Sequence, residues 1–158
     1  MAIEFTVEMR AGQTAAVVAE SVVAVARELV LIDAETVAAQ LLQGVVLGNG
    51  TWFRVSDSRS QAWQTVPAVL GFMPDVDLYF RLDKWTDISG QQDGLIRLAL
   101  GLLEHVTGDM VLHREYETAL FVRKDGVLTL NDRADLWTPE RLAWVRLPHG
   151  QAFIDLDA

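Results

Sequence analysis

The sequence predicts an α+β fold: one domain over residues 1–158, with a largely antiparallel sheet of six or seven strands and helices packed on one face. Asn49-Gly50 and Asp125-Gly126 each separate two β-rich runs, and both dipeptides tolerate the positive φ that tight hairpins need. Helical stripes fall between runs of strands instead of alternating with single strands, the pattern of an antiparallel sheet with helical cover. The 158 residues are 51 % hydrophobic and 22 % charged, enough for one full core and unlike a disordered chain.

The elements follow in order. Residues 3–9 alternate, with Ile3, Phe5, Val7 and Met9 on one side and Glu4, Thr6 and Glu8 on the other, as a half-buried strand requires. A long helix is predicted from Thr14 to Val30, apolar on more than one face and therefore deeply packed. Asp33 suits the N-cap of a shorter helix reaching Leu42. Strands flank Asn49-Gly50, and residues 57–74 read as irregular because Pro67, Gly71 and Pro74 interrupt them. "DVDLYFRLD" (75–83) alternates again, with Val76, Leu78, Phe80 and Leu82 inward. Ser89 and Gln92 form a capping-box pair before a helical stripe over 90–106. Strands are expected at 109–116, 118–124 and 127–131, and the final helix at 139–146. That last entrance is heavily specified: Thr138 suits N-cap, Pro139 suits the first helical position, and Trp137 with Leu142 fits a hydrophobic staple.

Charge and cysteine content exclude several classes of function. The formal charge is −9, from 13 basic and 22 acidic side chains, which opposes direct binding of nucleic acid and is compatible both with a basic protein partner and with acidity serving solubility alone. With no cysteine there are no disulfides or thiolate metal sites, in keeping with a reducing cytoplasm. Glu4 and Glu8 stand where a secretory signal needs positive charge, so no signal peptide is expected. The most apolar window, 15–32, carries Glu20, Arg27 and Glu28, so no membrane span is expected either.

Catalytic and ligand motifs are sparse. No serine lies in a G-x-S-x-G elbow, and no glycine pattern before a helix matches a phosphate loop. "DVDLYFRLD" lacks the glycine of a calcium loop, and His113 with Glu115 finds no third metal ligand. No cofactor is indicated. The pairs Asp75/Asp77 and Asp132/Asp135 have spacing compatible with two-carboxylate hydrolysis, which keeps a small acid-lined hydrolase or ligand-binding domain as the alternative.

The outward face of the sheet carries the binding expectation. By alternation, Glu4, Glu8, Asp75, Asp77 and Asp83 point away from the helices against only Arg10 and Arg81, and Trp52 and Tyr79 share their parity. Aromatics ringed by charge are typical of recognition surfaces. Asp75, Asp77, Asp83, Trp52 and Tyr79, with Asp132 and Asp135 in the turn before the last helix, are the predicted partner contacts.

The pieces "FRLDK" (80–84), "QQD" (91–93), "GDMVLH" (108–113) and "LNDRADLWTPERL" (130–142), in that order, resemble the SitI-type immunity proteins of swarm-inhibition toxin systems, over roughly residues 72–145. The "REYET" turn at 114–118 departs from the resemblance, which implies a shorter neutral turn. The resemblance implies a non-enzymatic protein that binds and neutralises a cognate toxin delivered by kin bacterial cells.

Overall fold

The computed structural model describes residues 2–157. Its strands are β1 (Ile3–Arg10), β2 (Val45–Val46), β3 (Trp52–Asp57), β4 (Val76–Leu82), β5 (Asp109–Arg114), β6 (Thr118–Lys124), β7 (Val127–Asn131) and β8 (Gly150–Ala152). The α-helices are α1 (Ala15–Glu28), α2 (Ala38–Gln43), α3 (Ile88–Leu103) and α4 (Pro139–Ala143), and Val66–Leu70 forms one π-helical turn. No helix among the described residues is long and apolar enough to cross a membrane.

One sheet runs in the order β2-β3-β4-β1-β5-β6-β7-β8. The α+β class holds, but the expected six or seven antiparallel strands become eight in a mixed sheet, because β8 pairs parallel to β7. The extra strand is three residues long and exposed throughout, so it lacks the apolar alternation by which the others were recognised. The segment 132–149, which contains α4, makes the parallel connection.

Phe5, Val7, Met9, Phe53, Val55, Val76, Leu78, Phe80, Met110, Leu112, Phe121 and Leu130 are buried beneath α1 and α3, in the main core. The two helices pack closely at Gly101, where an added Cβ would lie 2.5 Å from the Val25 side chain. The opposite face is not bare. A second cluster joins Val66 and Phe72, from the segment after β3, with Val111, Ala119, Val122 and Leu156. This cover lies over β5 and β6.

Several local expectations shift. The hairpin at Asn49-Gly50 forms, but five residues (47–51) separate the last paired positions instead of two, with Leu47 N–H donating to the Thr51 carbonyl. At Asp125-Gly126 the two-residue turn is as expected, both residues having positive φ. The helix expected from Asp33 begins only at Ala38, because the Asp33 carboxylate accepts from the Glu35 and Thr36 amides and closes a local turn. Asp87, not Ser89, caps α3, accepting from Gly90 N–H, and the helix ends at Leu103. Thr138 does cap α4, accepting from Arg141 N–H at 3.3 Å, but the helix stops at Ala143.

Candidate functional site

Strand register arranges the uncovered part of the outer face in rows. Ser56, Asp77 and Glu8 lie opposite one another across β3, β4 and β1. The next row is Arg54, Tyr79, Thr6 and, from β5, His113; the third is Trp52, Arg81 and Glu4. Each set follows from period-two alternation on strands whose other face is the apolar core.

The floor of this surface is a buried acid–imidazole pair. Glu8 is 2 % exposed and His113 is fully buried, with Nε2 2.6 Å from Glu8 Oε2. His113 Nδ1 accepts the amide proton of Tyr116 at 3.1 Å. That bond assigns the proton to Nε2, which donates to Glu8, and leaves the imidazole neutral. Ser60 Oγ also donates to Glu8. Among the described residues no Lys or Arg forms an ion pair with Glu8.

Tyr116 belongs to the turn between β5 and β6. Glu115 and Tyr116 have φ of +50° and +61°, and Glu117 N–H donates to the Arg114 carbonyl, closing the turn. Two consecutive non-glycine residues in the left-handed region are energetically unfavourable. The conformation folds the Tyr116 ring onto His113, with centroids 4.3 Å apart. Burial first, then the nearby Glu8 and Asp77 carboxylates, push its hydroxyl up to about 12.

Asp77 faces Glu8 directly across the strand pair, an unfavourable placement for two like charges. Its carboxyl is pushed up to about 7, chiefly by burial and then by Glu8, against a hydrogen bond from Ser58. Among the described residues, Oδ1 of Asp77 is buried without a hydrogen-bond partner.

Above this floor lies an open concavity of about 620 Å³, walled by Glu4, Trp52, Asp77, Tyr79, Glu115 and Tyr116. Trp52 and Tyr79 meet edge to face at 5.8 Å. Burial, then hydrogen bonding and the charge on Glu4, push the Tyr79 hydroxyl up to about 12. Arg54 is exposed and is the one cation lining the concavity among the described residues.

Of the residues picked from sequence, Trp52, Asp77 and Tyr79 are brought together here. The others lie elsewhere. The Asp75 carboxylate accepts from the Ala11 and Gly12 amides, both at 2.8 Å. Asp83 accepts from Trp85 N–H and the Thr86 hydroxyl, closing the turn after β4, and these bonds hold its carboxyl below the usual range. Asp135 pairs through both oxygens with Arg133, and Asp132 is exposed. Both follow β7, about 19 Å from β4 at four strand spacings. Sequence reasoning had put Glu8 on the exposed face; it is buried, because Ser60 and Tyr116 fold over it. The pairing of Glu8 with His113 went unread, since 105 residues separate them.

The SitI3-like family profile matches residues 3–141. The chain belongs to the SitI3-like family. No curated protein matches it, and no solved structure does. The matched region extends the resemblance noted over 72–145 back to β1, and so includes every strand that builds the concavity of this SitI3-like chain. β8 and Leu156 of the second cluster fall beyond it, whereas Val66 and Phe72 lie within it.

Proposed function

We propose that this SitI3-like protein is an immunity-type protein that binds a cognate, basic toxin and neutralises it by occlusion, without catalysis. The observation that carries the reading is the concave outer sheet face, where Trp52, Tyr79 and Tyr116 stand among Glu4, Asp77 and Glu115. Large, half-exposed aromatics supply contact area at low entropic loss, and acids around them steer a basic partner. In this reading Trp52, Tyr79 and Asp77 contact the toxin directly. Asp75 and Asp83 support the surface through their backbone bonds, and Asp132 and Asp135 form a distant rim.

Acid–base hydrolysis is the second reading, favoured by an Asp77 carboxyl held at about 7, near the pH at which a general acid works. A two-carboxylate mechanism needs both acids to reach the substrate, whereas Glu8 is buried under Tyr116 and bonded to His113. The geometry thus favours binding.

The test is co-expression with the toxin encoded beside this gene, scored by growth rescue and by co-purification of the two proteins. Rescue with a stable complex is expected. Rescue without complex formation, accompanied by turnover of the toxin's product or substrate, would overturn the binding reading.

A further inference from the structure

The concavity on the open sheet face has the chemistry of a receptor for one cationic side chain. Its walls combine three aromatic rings with three carboxyl groups, and Arg54 stands at its edge as the single lining cation among the described residues. Beneath it the carboxylate of Glu8, 2 % exposed, receives hydrogen bonds only from neutral groups, since the Tyr116 amide occupies His113 Nδ1 and so excludes an imidazolium. Among the described residues no donor reaches Oδ1 of the neighbouring Asp77, whose carboxyl is helped only by Ser58. A buried acceptor without a donor is unfavourable, and two acids facing each other across a strand pair add to the deficit. A positively charged hydrogen-bond donor entering the concavity would offset this excess of acceptors.

We infer that this concavity is a socket for an arginine side chain of the protein partner, its guanidinium lying against Trp52, Tyr79 and Tyr116 and donating toward Asp77 and Glu4. Arginine suits the walls better than lysine. Its planar cation stacks on rings and presents several donors in one plane, while an ammonium ion is compact and more strongly hydrated. The proposal deepens the toxin-binding reading by naming what the partner inserts, and it rests on that reading only for the source of the arginine.

The experiment therefore uses a small probe and no toxin. N-acetyl-arginine amide is titrated into the full-length protein, with resonances of the Trp52 indole and His113 ring followed by NMR; the lysine and citrulline counterparts are titrated in parallel. Saturable shifts confined to these two residues are expected, with the citrulline probe at least about fivefold weaker because it lacks the charge. Trp52→Ala and Glu4→Gln should each weaken the arginine probe at least about threefold, and Arg54→Ala should strengthen it. Trp85→Ala, at a residue 94 % exposed outside the concavity, serves as the control and should leave binding unchanged. Equal binding of arginine and citrulline probes, or lysine binding as tightly as arginine, would overturn the socket. So would shifts spread equally over the exposed Trp63 and Trp85. Loss of the probe site with growth rescue intact would refute the socket alone; a bound probe with no toxin complex would refute the immunity reading alone.

Discussion

Replacing Asp77 with Asn should make stability less dependent on pH, and the size of the effect follows from the carboxyl's surroundings. In the folded protein this group holds its proton to about pH 7, against an ordinary value of 3.8, because burial and the Glu8 charge disfavour ionisation. Between those values the unfolded chain has released the proton and the folded chain has not. Rising pH therefore favours unfolding across that window, and the stability present below it is lost by about pH 7. At about 1.4 kcal/mol per tenfold change in proton affinity, the shift corresponds to about 4 kcal/mol as an upper bound. Solvent reaching the partly exposed carboxyl reduces this to about 2 kcal/mol. Asn keeps the shape but cannot ionise. Urea unfolding of both proteins at about pH 4.5 and about pH 8 isolates the contribution, since constant packing differences cancel. The mutant should gain about 2 kcal/mol relative to the parent between the two conditions. An unchanged difference would refute the claim that Asp77 is desolvated beside a like charge.

Three further substitutions probe the frame around the site. Thr138→Ala should lower stability by about 1 kcal/mol through loss of the α4 cap, and an unchanged urea midpoint would mean that the Thr138–Arg141 bond contributes nothing. Gln91 is fully buried, accepting from the Thr51 hydroxyl and Asp83 N–H while donating to the Asp83 carbonyl. Gln91→Leu should cost about 3 kcal/mol and speed amide exchange at Asp83 and Trp85; exchange at the parent rate would show that the turn holds without it. Arg123 donates to the carbonyls of Leu103, Val106 and Gly108, closing the C-terminal end of α3. Arg123→Met should cost about 2 kcal/mol, and preserved thermal stability would assign that end to the backbone alone.

Alternation and turn chemistry made most of the framework legible. The apolar parity of β1 and β4, the Asp125-Gly126 turn and the Thr138-Pro139 entrance were readable because each is decided within a few neighbouring residues. The missed features depend on distant contacts. Asp33 looked like a helix cap and caps a turn instead, since either use satisfies its carboxylate locally. β8 is a strand only because β7 offers a free edge. At the site, parity put Trp52, Tyr79 and Asp77 on one face, but strand order decides which strands adjoin, and hairpin signals say nothing of that. The burial of Glu8 was unreadable for the same reason: its cover comes from segments more than 50 residues away along the chain.

The position of β1 has a consequence for assembly. It is the first strand in the chain, yet it lies between β4 and β5 in the sheet, so pairing on its two sides joins segments far apart in sequence. Closing loops of that length is slow compared with forming the local hairpins. A strand arriving late could settle one residue out of alignment, and alternating side chains would then exchange faces. Here such a slip would drive Glu8 into the apolar layer beneath α1 and α3 and leave His113 without its acceptor. The pair that floors the concavity thus also favours the native alignment over one shifted by a residue.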